Sequence, residues 1–225
     1  MALKDSLGKT RCVYIPDDLE YDTSLFLVPS CYKDDLKSLI ICEGLIKDRI
    51  RKLAREIHES VGDQPLVMLC VLKGSYRFFT ALVDELTITR ADLTCSTPLT
   101  VDFVRAMSYE DTETTGKVQL VGLSNLEEVR GQNILVVDDI IDSGLTLSRI
   151  IHTIKELGAA KIWTCLMLSK RVKRRIENQE DFVAFNIPDK FIVGYGLDYN
   201  QKFRDLNHIC VMSPTGIAKY KSRSS

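Results

Sequence analysis

Two hydrophobic patterns alternate along this chain. Short, continuous apolar runs rich in β-branched residues predict buried strands at 66–72, 134–137 and 161–169, and less regular runs predict strands at 98–104 and 118–123. Apolar residues three or four positions apart predict helices over 43–60, over 76–86 and from 147 to the helix-ending Gly158. Strand, loop and helix follow one another at least twice, which predicts a parallel sheet with helical crossovers.

The two ends of the chain are harder to interpret. Pro16 and Pro29 interrupt any long element within residues 1–40. Residues 181–213 contain three short apolar runs separated by polar segments. With 225 residues and a hydrophobic share of 45%, the chain can bury the core of one α/β domain.

Charge and cysteine usage exclude several classes of protein. The formal net charge is −1, so we expect no general attraction to nucleic acid or to an anionic membrane. The seven cysteines are scattered and include no C-x-x-C pair, which favours reduced thiols in a cytoplasmic protein over disulfides or a zinc site. No apolar stretch predicts secretion or a membrane span. The three histidines, His58, His152 and His208, do not suggest a metal or nucleophile set.

Residues 132–158 carry the main candidate chemistry. The strand is predicted to end at two adjacent carboxylates, Asp138 and Asp139, and small polar residues then lead into the helix. The N–H groups at a helix start can hold a phosphate, while carboxylates can bind hydroxyls or a Mg²⁺ that phosphates share. Together these groups suit a sugar phosphate. The glycine fingerprints of ATP and dinucleotide sites are absent. The plainer alternative is an acidic turn with Ser143 as the helix N-cap.

Residues 136–146, VVDDIIDSGLT, resemble the phosphoribosyl pyrophosphate (PRPP) signature of the type I phosphoribosyltransferases. The resemblance implies that Asp138, Asp139 and Asp142 line the ribose of PRPP, with Asp142 also the catalytic acid or base at purine N7. The 5′-phosphate would be held by the rest of the loop, Ser143, Gly144, Leu145 and Thr146. Leu145 departs from the pattern, since close relatives often have lysine there, so a positive charge is lost.

Two further loops resemble those of the 6-oxopurine members of this family. Leu72-Lys73-Gly74 matches a pyrophosphate loop in which the leucine–lysine peptide is cis, although Ser75 stands where close relatives usually have a second glycine. Ser108-Tyr109 matches the flexible loop that closes over PRPP and pyrophosphate. Met107 occupies a position that is often lysine in relatives, so a second positive charge is lost.

The purine side of the site is implied by Lys170, which follows the strand predicted at 161–169. An ammonium group donates to the carbonyl oxygen at purine C6 but cannot donate to an exocyclic amine. By the resemblance, Lys170 would therefore select oxopurines over adenine. Taken alone, this lysine would be an ordinary surface residue in a basic run.

Residues 188–211, PDKFIVGYGLDYNQKFRDLNHICV, closely resemble the C-terminal block of the hypoxanthine-guanine phosphoribosyltransferases. The match implies that Phe191 stacks on the base and that the side chain of Asp198 binds Mg²⁺, directly or through water. Arg204 would contact pyrophosphate, which a planar guanidinium can bond through two oxygens. The remaining pocket contacts would be the carbonyl groups of Ile192 and Asp198 and the side chain of Val193.

These four motifs occur in the same order as in the family, which implies a type I phosphoribosyltransferase fold. That fold is a twisted parallel sheet flanked by helices, with a small hood and a flexible active-site loop. The core would be about 45–180, and the hood would come from 1–44 and 181–225. The implied reaction transfers the phosphoribosyl group of PRPP to N9 of hypoxanthine or guanine, giving IMP or GMP. Mg²⁺ would be held by Asp138, Asp139 and Asp198, and the family implies a homodimer or homotetramer.

Two alternatives stay open, and a third is less favoured. The departures at Ser75, Met107 and Leu145 would suit a catalytically weak paralogue that binds purine nucleotides as a regulator. A shifted base preference, such as xanthine, is compatible with Lys170. A phosphoacceptor role for the acidic pair is less favoured, because it leaves the lysine and C-terminal motifs unexplained.

Overall fold

The computed structural model describes residues 11–108, 118–121, 129–173, 176 and 179–221. The strands, numbered along the chain, are β1 Val13–Tyr14, β2 Leu36–Ile41, β3 Leu66–Leu72, β4 Leu99–Ser108, β5 Val118–Val121, β6 Asn133–Ile141, β7 Lys161–Lys170, β8 Phe182–Ile187, β9 Ile192–Val193 and β10 Ile209–Met212. The α-helices are α1 Glu43–Val61, α2 Tyr76–Asp92, α3 Leu145–Glu156 and α4 Pro214–Tyr220. Short 3₁₀ helices at Thr23–Leu25 and Ser30–Asp35 precede β2.

The main sheet of the described chain has the spatial order β1-β8-β7-β6-β3-β4-β5. Its strands pair in parallel except β5, which pairs antiparallel with the end of β4. Alternate residues of β3 pack in two different hydrophobic clusters, one on each face of the sheet. Met68 and Cys70 pack with α1 and α2, and Leu69 and Val71 pack with α3. Helices therefore cover both faces of the sheet, which explains why its central strands are apolar throughout. The predicted α/β class is confirmed.

A second, antiparallel sheet has the order β2-β10-β9. It has its own apolar core, in which Leu39, Phe203 and Cys210 are fully buried. The term hood denotes this sheet together with residues 194–208. Residues 194–208 connect β9 with β10 and are called the hood loop. The predicted division at 44 and 181 stays a prediction, and the structure places β1 and β8 in the main sheet.

Most predicted elements are present with shifted ends. The helix predicted over 76–86 extends to Asp92, and the strand predicted over 98–104 extends to Ser108. Gly158 ends α3 with φ +85°, as predicted. The strand predicted over 118–123 is present to Val121, and its last two residues lie outside the described part of the chain.

The prediction that the central strand ends at the acidic pair is wrong. β6 continues to Ile141 because its residues keep their parallel pairing with β7 to that point. The two carboxylates are therefore held by sheet backbone, and the turn begins after them. None of the described helices has the length and hydropathy needed to cross a membrane. All seven cysteines are free thiols.

Candidate active site

The carboxyl ends of β3, β6 and β7 lie side by side at one edge of the main sheet. β3 leads into Leu72-Lys73-Gly74, β6 carries the acidic pair and leads into residues 142–146, and β7 ends at Lys170. Three motifs that are far apart in the sequence therefore meet, because parallel strands bring their following loops to the same edge.

The acidic pair is largely buried near the end of β6. Asp138 is 8% exposed, its Oδ1 accepts a hydrogen bond from the Asp139 amide at 3.0 Å, and Asp139 Oδ1 accepts one from the Ile140 amide at 2.7 Å. Burial raises the pKa of both carboxyl groups, and the Asp139 charge raises the pKa of Asp138 further. The guanidinium of Arg204 opposes this shift at Asp139. Ligand hydroxyls or a cation would stabilise the charged form of such a pair.

The loop between β6 and α3 leads directly into the helix. Gly144 has a left-handed backbone with φ +80° and precedes Leu145, the first helical residue. The alternative with Ser143 as N-cap is wrong, because Gly144 occupies that position and the Ser143 hydroxyl accepts only a 3.4 Å bond from the Leu145 amide. The first N–H groups of an α-helix have no partners within the helix, so the start of α3 can bind a phosphate. Thr146 is exposed there.

Lys170 lies between two carboxylates. Its Nζ is 3.1 Å from Asp189 Oδ1 and 3.5 Å from Asp142 Oδ2. The lysine side chain is only 14% exposed, whereas the side chain of Asp142 is 59% exposed. A cation and an accessible carboxylate therefore lie together beside the acidic pair. Sequence reasoning missed Asp189, whose position depends on the course of the chain after β8.

The Leu72-Lys73-Gly74 loop contacts the acidic pair. The Leu72–Lys73 peptide is cis, as the resemblance implied. A Cβ atom added to Gly74 would lie 1.5 Å from Asp139 Oδ2, so this glycine allows the loop to pack directly against the carboxylate. Ser75 is fully buried, and its hydroxyl hydrogen-bonds to the carbonyl oxygen of Val71. The departure at Ser75 thus anchors the loop to the end of β3.

The hood loop reaches the Leu72-Lys73-Gly74 loop directly. A Cβ atom added to Gly196 would lie 2.1 Å from the Gly74 carbonyl oxygen, so the backbone contact requires glycine. Arg204 Nη1 donates to the Gly196 carbonyl at 2.6 Å, and its Nη2 lies 2.7 Å from Asp198 Oδ1. The fourth motif therefore supplies a guanidinium and a carboxylate at the same edge of the sheet. Sequence reasoning did not single out Gly196, because its role depends on a contact with a distant loop.

Phe191 offers an exposed aromatic surface next to the hood loop. It is 45% exposed, and its ring packs edge-on against Tyr199 with 5.0 Å between centroids. Its carbonyl accepts a 2.9 Å hydrogen bond from the Met212 amide, and the next residues, Ile192 and Val193, are buried in β9. An exposed ring on an anchored backbone can stack on a planar base.

Known proteins are similar to this chain in sequence and architecture. The family model described as phosphoribosyl transferase domain matches residues 43–200. The hypoxanthine-guanine phosphoribosyltransferase of Mus musculus is 44% identical over 215 residues, covering 95% of this chain and 99% of that protein. The one from Homo sapiens is 43% identical over 206 residues, covering 92% and 94%. The chain belongs to the hypoxanthine-guanine phosphoribosyltransferase family.

A solved member of this family has a similar structure. The crystal structure of hypoxanthine-guanine phosphoribosyltransferase from Schistosoma mansoni in complex with IMP matches with a TM-score of 0.79 and 33% identity. The match covers 94% of this chain and 100% of that chain. The predicted type I phosphoribosyltransferase fold and the predicted transferase class are confirmed.

Some residues implied by the family are not tested by this geometry. Tyr109 lies outside the described residues, and of Ser108 and Met107 only the backbone, in β4, is described. Asp138, Asp139 and Asp198 form no ready-made metal cage: among the described residues, no three His, Cys, Asp or Glu side chains have the spacing to hold a metal ion together. Each of the three carboxylates remains a predicted ligand separately.

Proposed function

We propose that this chain transfers the 5-phosphoribosyl group of PRPP to N9 of hypoxanthine or guanine, giving IMP or GMP and pyrophosphate. The relatives described above carry this activity in their names, and the solved relative contains IMP. The observation that carries the proposal is the pair of Lys170 and Asp142, whose Nζ and Oδ2 atoms are 3.5 Å apart beside the acidic pair. This pair matches the carbonyl oxygen at C6 and the nitrogen N7, which are neighbours on one edge of an oxopurine.

For each part of PRPP, the protein offers groups of complementary charge or polarity. The start of α3 suits the 5′-phosphate, where Leu145 contributes a backbone N–H and no positive charge. Asp138 and Asp139 suit the ribose hydroxyls, and their negative charge favours the ribosyl ring as it gains positive charge. Lys73 and Arg204 flank the Gly74–Gly196 contact and suit the leaving pyrophosphate.

Mg²⁺ fits the carboxylates present. Asp138 and Asp139 are oxygen donors whose burial raises their pKa, so a cation would favour their charged form. Mg²⁺ commonly combines one or two carboxylates with waters and substrate phosphates, which agrees with the lack of a three-carboxylate cage among the described residues. Asp198 is the third candidate ligand. When bound, Mg²⁺ would neutralise the leaving pyrophosphate.

Asp142 is proposed to move the proton. As N9 forms its bond to C1 of the ribose, the purine ring becomes more acidic. The carboxylate of Asp142 can then accept the proton that N7 loses. Its exposed carboxylate allows a base to enter, and Lys170 lies close enough to position O6 at the same time. Lys170 would reject adenine, because an amine at C6 offers no acceptor to the ammonium group.

A spectrophotometric assay tests the proposal. Purified protein, PRPP and Mg²⁺ are mixed with hypoxanthine, guanine, xanthine or adenine in separate reactions. We expect turnover of hypoxanthine or guanine, loss of turnover when EDTA removes the metal, and no turnover of adenine. Absence of turnover with every base, together with stabilisation by IMP or GMP in a thermal-shift assay, would instead support the regulatory paralogue.

Assembly and location remain predictions. We expect a homodimer or homotetramer in the cytoplasm, as the family implies. Sedimentation velocity measures the first directly, and imaging of a tagged chain measures the second.

A further inference from the structure

Arg77 connects the two parts of the proposed site. It lies in the first turn of α2, three residues after Gly74 of the pyrophosphate loop. Its side chain extends to the hood loop, where Nη1 donates to the Leu206 carbonyl at 2.7 Å and to the Asp205 carbonyl at 3.3 Å. Its Nη2 donates to Asn207 Oδ1 at 2.7 Å. One guanidinium therefore holds three consecutive residues of the hood loop.

The residues held by Arg77 directly follow Arg204, which in turn pairs with Asp198. The Leu206 carbonyl also accepts a 2.8 Å hydrogen bond from the Tyr195 amide, and the Gly196 amide donates to the Arg204 carbonyl at 3.1 Å. The Arg77 guanidinium lies 4.8 Å from the centre of the Tyr195 ring, a cation–π contact. The two sides of the hood loop are thus joined to each other and, through Arg77, to α2.

The conformation of the hood-loop backbone is not stabilised by a regular helix or strand. Six of the ten residues from 194 to 203 have a positive φ, and four of the six are not glycine. Tyr195, with φ +49°, is one of these four and is nearly fully buried. Such conformations persist only where surrounding contacts determine them. The Arg77 hydrogen bonds are contacts of that kind, and they come from the helix that directly follows the pyrophosphate loop.

We propose that Arg77 is a positioning residue for pyrophosphate and PRPP, which aligns Arg204 and Asp198 with the Lys73-Gly74 loop. This inference rests on the proposed function. Arg77 acts through the hood loop, since its described polar contacts are with residues 205–207. The purine-binding groups Lys170 and Asp142 lie on β7 and after β6, so Arg77 should affect PRPP more than the base.

Kinetics of three Arg77 variants test this role. Arg77→Met removes the donors and keeps the apolar stem, and we expect the KM for PRPP to rise on the order of tenfold, since small misplacements of binding groups are costly. The KM for hypoxanthine should change less than threefold. Arg77→Lys keeps one donor for the Leu206 carbonyl and should restore part of the loss. Arg51→Met is the matched control, because Arg51 pairs with Glu85 on the exposed side of α1.

A double-mutant cycle with Asn207 separates positioning from general stability. Asn207→Leu should raise the KM for PRPP less than Arg77→Met, and the double variant should add little, because the two side chains share one hydrogen bond. Additive effects, equal rises in both KM values, or an unchanged KM for PRPP in Arg77→Met would each overturn the inference.

Hydrogen exchange of the ligand-free protein distinguishes failure of this inference from failure of the proposed function. In Arg77→Met we expect faster exchange in residues 194–208 and unchanged exchange in α3. Unchanged exchange in the hood loop would remove Arg77 from the positioning role, whatever the activity of the protein. If the wild-type protein turns over no base and binds no PRPP, the proposed function fails and the PRPP role of Arg77 fails with it.

Discussion

The loop at 142–146, called the phosphate loop after its proposed ligand, and the hood loop at 194–208 contribute to the same proposed site and are built in different ways. The phosphate loop joins a buried parallel strand to an amphipathic helix, and a single left-handed glycine, Gly144, makes the turn. The hood loop contains many left-handed residues and depends on contacts made by Arg77, Gly74 and its own backbone. Regular structure fixes the first loop, whereas tertiary contacts fix the second.

This difference has a mechanistic consequence. The groups proposed to bind the ribose and the 5′-phosphate lie on β6 and at the start of α3, while Arg204 and Asp198 lie on a segment whose shape depends on tertiary contacts. We therefore expect loss of the Asp142 carboxylate to alter chemistry, and changes at the hood loop to alter the binding of PRPP and pyrophosphate.

The largest expected effect comes from Asp142, in the phosphate loop. Asp142→Asn keeps the shape and removes the proton acceptor, so kcat should fall by roughly 10²–10⁴ with PRPP affinity nearly unchanged. Single-turnover kinetics and PRPP titration measure the two quantities. Asp84→Asn, an exposed position on α2, is the control. An unchanged kcat would remove Asp142 from the acid–base role.

The next largest effect should come from Gly196, on the hood side. Gly196 has φ +104°, and in Gly196→Ala the new methyl group would meet the Gly74 carbonyl oxygen, so we expect PRPP affinity to fall roughly 10²-fold. Isothermal titration with PRPP and Mg²⁺ measures this change. Gly44→Ala in α1 is a matched control, because a Cβ atom there has no neighbour within 4 Å. Normal PRPP affinity in Gly196→Ala would show that the Gly74–Gly196 contact is unimportant.

Lys170 should give a smaller effect, confined to the base. Lys170→Met removes the donor to O6, and kcat/KM for hypoxanthine should fall roughly tenfold to hundredfold, since a hydrogen bond from a charged group is lost. The KM for PRPP should change little. Lys161→Met, at the opposite end of the same strand, tests for loss of strand stability alone. Equal losses in the two lysine variants would argue against a role for Lys170 in base selection.

The smallest effect concerns the junction of hood and main domain. His208 Nδ1 accepts a 3.0 Å hydrogen bond from the Glu43 amide at the start of α1, which requires a neutral imidazole. Burial lowers the pKa of His208, and the Arg77 charge also lowers it, while Glu43 and a hydrogen bond with the Leu27 backbone act in the opposite direction. The unfolded chain therefore binds more protons just below the ordinary pKa of 6.5, and stability falls as the pH falls through this range.

His208→Asn keeps an acceptor and removes the titration. Between pH 7.5 and 5.5 the melting temperature of the wild-type protein should fall more than that of His208→Asn, because the wild-type protein binds this proton on unfolding and the variant does not. Differential scanning calorimetry at several pH values measures this difference. Parallel pH dependence in the two proteins would contradict it.

Sequence patterns predicted the main sheet better than the hood. Continuous apolar strands such as 66–72 and stripes such as 43–60 report burial directly, and the structure confirms both within a residue. The error at the acidic pair arose because Asp138 is polar and yet buried within β6, where strand pairing outweighs polarity. The roles of Asp189, Arg77 and Gly196 depend on contacts between distant segments, which a linear pattern does not contain.

One measurement tests most directly whether the phosphate loop and the hood loop bind a single ligand. Hydrogen exchange is followed in the wild-type protein with and without PRPP and Mg²⁺, in the absence of any base. We predict that residues 142–147 and residues 194–208 gain protection together, at the same PRPP concentration. Protection of the phosphate loop alone would contradict a shared site, and protection of neither would contradict PRPP binding.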